Sequence, residues 1–235
     1  MSGAPPFAAT RMPDRDWWQA LWPDPDRVVR ALGIAPGMTV VDLACGYGYF
    51  TSAIARRIAP GEVIGVDLDG AVLAEAQAAC RALPNCRWEL GDAMELSRLI
   101  RSPVDYVLLA NTLHGVPDRT GLSRQVAGVL KPGGLFGIVN WQPLPREATT
   151  VLGEPRGPAT ELRMSHEQTC AAVEPAGFAR AELRELPPYH YAVVFARRAL
   201  AANATGRREA ARPWSATGAC RGPATRGPPR CARPG

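Results

Sequence analysis

Val40–Thr51, VVDLACGYGYFT, is the stretch that decides the fold of this chain. Its first residues form a short apolar run, which is typical of a strand that helices cover on both faces. Gly46 and Gly48 follow, where the backbone must turn tightly before a helix whose first N–H groups face a ligand. Thr51 stands where the dinucleotide-binding fingerprint has its third glycine, and this favours a ligand without a pyrophosphate.

On either side of this stretch, strand-like and helix-like segments alternate. This alternation predicts an α/β fold, a Rossmann-like, doubly wound and mostly parallel sheet. The predicted strands are Thr39–Ala44, Glu62–Asp67, Cys86–Leu90, Val104–Ala110 and Leu135–Trp141. The predicted helices are Phe50–Ile58, Ala71–Leu83, Leu96–Ile100 and Asp118–Leu130, with a stop at Pro132-Gly133-Gly134.

The regular alternation of strands and helices ends after the fifth predicted strand. Ser165 and Gln168 have the spacing of a capping box, which opens a helix. Two β-like runs follow, Arg180–Leu186 and Tyr189–Arg197, and only Pro187-Pro188 separates them. So short a link cannot contain a crossover helix, so the two strands are predicted to be antiparallel neighbours. The sheet then has seven strands and ends in an antiparallel hairpin.

Two carboxylates follow predicted strands at informative places. Asp67 ends the second strand, 19 residues after Gly48, where it can accept hydrogen bonds from both ribose hydroxyls of a nucleoside. Asp92 follows the third strand and can accept from an adenine amino group, while its small neighbour Ala93 leaves room for the ring. Asp69 is interpreted as the N-cap of the next helix.

Composition divides the 235 residues into three parts. Residues 1–13 are predicted to be a flexible N-terminus, 14–198 the folded domain, and 199–235 a disordered tail rich in Arg, Pro and Gly. That tail holds seven arginines against one glutamate, so the net charge of +5 does not indicate a nucleic-acid-binding domain. No apolar run is long enough for a membrane span, and Met1–Asp16 lacks the pattern of a signal peptide. The six cysteines show no CxxC spacing, so we expect a cytoplasmic protein without a metal site.

Five motifs together resemble class I S-adenosylmethionine-dependent methyltransferases. The motifs occur in family order and spacing, over roughly residues 26–198, and are most similar to small-molecule methyltransferases related to those of ubiquinone and menaquinone biosynthesis. They are VVDLACGYGYFT, GEVIGVDLD, GDAMEL, VDYVLLANTLHGVPD and LKPGGLFGIVNW. The resemblance implies that S-adenosylmethionine is the methyl donor. The residues that it assigns to donor binding are Asp42, Ala44, Gly46, Tyr47, Gly48, Asp67, Leu68, Asp92, Ala93, Ala110 and Asn111.

The acceptor is expected to be a small molecule with an O, N or C nucleophile. His114, on the loop after the fourth strand, is a candidate general base, although it can equally serve only to hold that loop. Trp18, Trp141 and Gln142 are candidate acceptor-binding residues, and the long loop Gln142–Arg163 is a candidate functional segment.

Two alternatives stay open at this stage. One is an NAD(P)-dependent Rossmann oxidoreductase, which Thr51 and the antiparallel ending disfavour. The other is a protein that binds S-adenosylmethionine without catalysis. The oligomeric state and the identity of the acceptor are not predicted.

Overall fold

A computed structural model describes residues 7, 10 and 12–198. Its centre is a seven-stranded sheet in the order β3-β2-β1-β4-β5-β9-β8. The first five strands are parallel, and β9 runs antiparallel to both β5 and β8. A separate two-stranded ribbon joins β6 to β7. The strands are β1 Val40–Leu43, β2 Val63–Asp67, β3 Cys86–Leu90, β4 Val104–Ala110, β5 Leu130–Trp141, β6 Thr150–Val151, β7 Glu154–Pro155, β8 Phe178–Leu186 and β9 His190–Arg197. The predicted fold class, including the antiparallel hairpin, is confirmed.

Alternation along each central strand places side chains in two separate cores. Val40 belongs to the core on one face of the sheet and Val41 to the core on the other, and both are fully buried. A strand buried on both faces has no polar side to present, which explains the continuous apolar runs in the sequence. The helices that cover the faces are α1 Arg15–Leu21, α2 Pro25–Ala31, α3 Tyr49–Ile58, α4 Gly70–Ala79, α5 Leu96–Leu99, α6 Arg119–Val129 and α7 His166–Val173.

The predicted helix starts are confirmed by their caps. The Asp69 carboxylate accepts from the first backbone N–H groups of α4, and the Asp118 carboxylate accepts from Gly121 N at 2.7 Å. Ser165 and Gln168 form the reciprocal capping box of α7. Each cap satisfies donors that the first helical turn leaves without intrahelical partners.

Two predicted boundaries are wrong by four or more residues. Helix α4 ends at Ala79 rather than Leu83, because a turn begins at Cys80, in which Leu83 N donates to Cys80 O at 2.8 Å. Pro84 also disfavours a helical conformation at Leu83, the residue that precedes it. Strand β5 begins at Leu130, so Pro132-Gly133-Gly134 lies within the strand instead of before it. Gly133, at φ +75°, and a register shift opposite β4 accommodate this irregular start.

The described residues of the N-terminus lie against the domain. Phe7 packs on one of the cores, and Thr10 N donates to Phe7 O at 3.3 Å. The flexibility assigned to residues 1–13 stays a prediction, and the tail 199–235 lies outside the described residues. Among residues 7, 10 and 12–198, no helix combines the length and apolar character needed to cross a bilayer.

Candidate active site

The glycine loop connects β1 to α3 through three left-handed residues. Ala44 and Gly46 both have φ +56°, and Gly48, the N-cap of α3, has φ +80°. A Cβ on Gly48 would lie 3.1 Å from Ala76 Cβ, closer than side chains normally approach. A Cβ on Gly46 would overlap the Met12 thioether. The positive φ favours glycine at both positions, and at Gly48 the contact with Ala76 leaves no room for a side chain.

Asp42 and Thr51 form a buried pair beneath the loop. Thr51 is fully buried, and its hydroxyl donates to Asp42 Oδ2 at 2.5 Å. Burial raises the pKa of the Asp42 carboxyl to about 7, although the Thr51 hydrogen bond opposes this shift. Thr51 thus replaces the third glycine of the dinucleotide fingerprint with a hydroxyl that satisfies a buried acid, a role that the sequence did not indicate.

The two acids at the ends of β2 and β3 also organise backbone. Asp67 accepts from Gly46 N at 2.8 Å and from Asp69 N at 3.0 Å, so it fixes the glycine loop against β2. Asp92 accepts from Met94 N at 2.8 Å. A carboxylate has further lone pairs, so both groups keep capacity to accept from a ligand.

A cavity of about 330 Å³ opens where β1, β4 and β5 end. Its wall combines the glycine loop, the segment after β4, the N-terminal residues and the loop after β5. Of the predicted site residues, it includes Trp18, Asp42, Ala44, Ala110, Asn111, His114 and Trp141. The other lining residues are Thr10, Met12, Pro13, Trp17, Cys45, Tyr49, Phe50, Thr112, Arg146, Arg156, Gly157 and Pro158.

Several predicted site residues lie outside this cavity. Gln142 lines a separate shallow depression, and its side-chain amide donates to His190 O at 3.4 Å, which gives no support to an acceptor-binding role. The others, which lie on the glycine loop or at the ends of β2 and β3, are Gly46, Tyr47, Gly48, Asp67, Leu68, Asp92 and Ala93.

The segment after β4 carries the candidate base. His114 is 3% exposed and lies in a short 3-10 helix, Leu113–Gly115. Arg119 holds this helix, because its guanidinium donates to Leu113 O at 3.1 Å and to His114 O at 2.8 Å. Asn111 has φ +56°, and both polar atoms of its amide are buried without a hydrogen-bond partner in the described part of the chain.

His190 lies behind the cavity, in a fully buried position. Its ring centroid is 4.2 Å from that of Trp141 and 4.4 Å from that of Trp22. Burial, Arg163 and His114 hold the pKa of His190 well below its usual value, so this imidazole is neutral. This packing gives His190 a structural role between the two tryptophans.

Three residues that line the cavity, Met12, Arg146 and Arg156, were not predicted individually from the sequence. Met12 lies in the segment predicted to be flexible, and nothing in its neighbourhood signals contact with Gly46. Arg146 and Arg156 fall within the loop predicted to be functional, but no motif singles them out. Trp18, a predicted acceptor-binding residue, lines the cavity and is at the same time 6% exposed and packed in a core.

Sequence comparisons agree with this geometry. Residues 40–134 match the family described as "Methyltransferase domain". Demethylmenaquinone methyltransferase of Staphylococcus aureus (strain JH9) is 34% identical over 110 residues, which are 46% of this chain and 45% of that protein. The chain thus matches these curated relatives over about half of their length.

Structural comparisons extend the likeness across the domain. An S-adenosylmethionine-dependent methyltransferase from Aquifex aeolicus has a TM-score of 0.67 at 22% identity, with 78% of this chain and 94% of that chain covered. The cyclase SpnF has a TM-score of 0.60 at 20% identity, with 75% and 82% covered. Such identities establish the fold and not the reaction. Residues 40–134 are therefore similar to a methyltransferase domain, and the chain has the fold of the S-adenosylmethionine-dependent methyltransferase from Aquifex aeolicus.

Proposed function

We propose that this protein transfers a methyl group from S-adenosylmethionine to a small-molecule acceptor. The observation that carries the proposal is the cavity between the glycine loop and the segment after β4. It brings Ala44 and Cys45 opposite Asn111 and His114 at the carboxyl edge of the sheet, where ligands of open α/β folds bind.

The residues present fit this donor. The orphaned Asn111 amide offers one donor and one acceptor group, which suits the ammonium and carboxylate of a methionyl group. Asp67 is available for the ribose and Asp92 for the adenine amino group. Beside these acids, Leu68 is 44% and Leu90 is 60% exposed, and the two side chains offer an apolar surface to an adenine ring.

When bound, S-adenosylmethionine supplies a methyl group that is already electrophilic. The protein's task is then to hold the acceptor in line and exclude water, and positioning of this kind is worth on the order of 7–11 kcal/mol in favourable cases. Trp18 and Trp141 line the acceptor side of the cavity. His114 takes the proton of the acceptor nucleophile as general base, and Arg119 positions it by fixing the 3-10 helix.

The first test separates donor binding from dinucleotide binding. In calorimetry, S-adenosylhomocysteine should bind and NAD should not. The protein is then incubated with cell extract and methyl-labelled donor, and mass spectrometry should find a new labelled metabolite. Absence of S-adenosylhomocysteine binding would refute the proposal.

A second candidate function is donor binding without methyl transfer. SpnF, a cyclase, shares this fold with a TM-score of 0.60, so the fold does not by itself entail methylation. Normal S-adenosylhomocysteine binding with no labelled product from any acceptor would favour this candidate. The cytoplasmic location and a role without nucleic-acid partners remain proposals. If deletion of residues 199–235 leaves RNA and DNA retention unchanged, the arginine-rich tail does not recruit nucleic acid.

A further inference from the structure

The loop of residues 142–163 is held in place from within by one arginine. Arg163 is 6% exposed, and its Nε donates to Pro158 O at 3.1 Å. Its Nη2 donates to Thr149 Oγ1 at 2.9 Å and to Arg156 O at 3.0 Å. This guanidinium therefore connects the Thr149 side chain to the backbone of Arg156 and Pro158, and it fixes this part of the loop beside the cavity.

Two other arginines of the loop line the cavity. The Arg156 guanidinium carbon lies 5.4 Å from the Trp17 ring centroid, and the buried Nε has no hydrogen-bond partner in the described part of the chain. The Arg146 Nε donates to Gly157 O at 3.1 Å, which leaves the rest of its guanidinium for other partners. Among the described residues, neither arginine takes part in an ion pair.

Negative charge is scarce around these arginines. Asp42 is the one carboxylate among the described lining residues, and it is 2% exposed beneath the glycine loop with a pKa raised to about 7 by burial. Glu147 follows Arg146 in the chain but is exposed and does not line the cavity. Of the described lining residues, Arg146 and Arg156 are thus the cationic ones, and neither is paired with a carboxylate. A planar guanidinium pairs with a carboxylate through two parallel hydrogen bonds, which makes it a specific receptor for that group.

Aromatic rings complete the same wall. Trp17 lies under Arg156, and Trp141 is 3% exposed and stacked on Tyr189 at an interplanar angle of 12°. Because Tyr189 and Arg163 lie against the Trp141 ring, this residue offers an aromatic edge to the cavity rather than a free face. An aromatic ligand can pack against such rings in offset or edge-on geometry.

We propose that the methyl acceptor is an aromatic carboxylic acid, whose carboxylate pairs with Arg156 and Arg146 and whose ring packs against Trp17 and Trp141. This inference rests on the proposed function, because it assigns the acceptor class of that same cavity. Arg156 is then a specificity-determining residue, with no part in holding the donor.

The test measures acceptor binding with the donor site filled. The full chain, saturated with S-adenosylhomocysteine, is titrated in calorimetry with hydroxybenzoic and aminobenzoic acids and with the matching neutral amides. We expect at least one acid to bind about tenfold or more tightly than its amide, because a hydrogen-bonded charged group contributes roughly that factor. In Arg156→Gln that preference should fall to about twofold or less, while S-adenosylhomocysteine binding stays within about twofold of wild type.

Arg101→Gln, an exposed arginine on another part of the domain, is the matched control and should keep the preference. Arg146→Gln is a second test of the same site, and thermal unfolding verifies that each variant is folded. Equal binding of acids and amides, or no binding of either, overturns the inference. A tenfold loss of S-adenosylhomocysteine affinity in Arg156→Gln also overturns it, since the arginine would then serve the donor. If S-adenosylhomocysteine does not bind wild type at all, the proposed function fails instead.

Discussion

The glycine loop and the loop of residues 142–163 face the same cavity, but they reach it from different kinds of structure. The side that we propose binds the donor, which we call the donor side and define as residues 42–48, 67–68 and 92–93, consists of strand ends and the turns that follow them. The acceptor side, which we define as residues 12–18, 141 and 146–158, consists largely of segments outside the main sheet. The donor side uses backbone conformation and carboxylates, whereas the acceptor side uses tryptophans and arginines.

This difference matches the chemistry that each side is proposed to perform. A donor common to a whole family needs one arrangement of N–H groups and acids, and strand ends fix such an arrangement rigidly. An acceptor differs from one enzyme to the next, so its contacts belong on loops that a scaffold positions. The experiments below change one side and ask whether the other responds.

The largest expected effect is at His114, where the two sides meet. His114→Gln should lower kcat by about 10²–10⁴-fold, because a general base in the transition state contributes that much. Donor affinity should stay unchanged. Steady-state transfer of labelled methyl and calorimetry with S-adenosylhomocysteine measure the two quantities. His166→Gln, on α7, is the matched control. An unchanged kcat would mean that His114 only holds its loop.

The buried acid of the donor side should make stability depend on pH. The pKa of Asp42 is raised from 3.8 to about 7, so the folded state retains a proton that the unfolded state releases. The free energy of unfolding should therefore fall as pH rises from about 4 to 7, by a total on the order of 4 kcal/mol from this group.

Urea unfolding of wild type and Asp42→Asn across this range measures the effect. The asparagine variant should lose this part of the slope, while Glu161→Gln, at an exposed acid, should keep it. Parallel curves for wild type and Asp42→Asn would contradict the assignment.

A smaller effect is expected from the acid that holds the glycine loop. Asp67→Ala removes the acceptor of the Gly46 and Asp69 N–H groups together with the proposed ribose contact. S-adenosylhomocysteine should bind about 100-fold more weakly, because the variant can no longer accept the two charge-assisted hydrogen bonds that we propose from the ribose hydroxyls. Glu62→Gln, an exposed acid just before β2, should bind normally in calorimetry. Normal S-adenosylhomocysteine binding by Asp67→Ala would mean that the donor does not contact the end of β2.

The smallest expected effect comes from two glycines, and it separates the cost of a positive φ from the cost of a steric contact. Gly48 and Gly133 have φ +80° and +75°, but a Cβ meets Ala76 at 3.1 Å in the first case and nothing within 4 Å in the second. Gly133→Ala should cost about 1 kcal/mol of unfolding free energy, and Gly48→Ala about 2 kcal/mol. Of the two, only Gly48→Ala should weaken S-adenosylhomocysteine binding. Equal losses of unfolding free energy in both variants would mean that Ala76 can shift at no cost to accommodate the new Cβ.

The same contrast explains what the sequence could predict. Buried strands such as Val104–Ala110 have a local signature, and acids such as Asp67 follow those strands at a regular place, so the sheet and the proposed donor side were predictable. The contact of Met12 with Gly46 joins residues distant in sequence without any periodic signal. Arg156 resembled every other arginine of an arginine-rich chain until the fold brought it to Trp17. Loop packing of this kind depends on tertiary structure, which one sequence does not encode locally.

Met12 adds a consequence for how tightly a donor is held. Its thioether occupies the space directly against Gly46, one of the residues to which the family resemblance assigns donor binding. Met12 and a donor bound at Gly46 would then compete for one surface. The measured affinity equals the intrinsic affinity multiplied by the fraction of molecules in which that surface is uncovered. The N-terminal segment, although remote from the sheet in sequence, thereby sets an equilibrium that every donor molecule must shift.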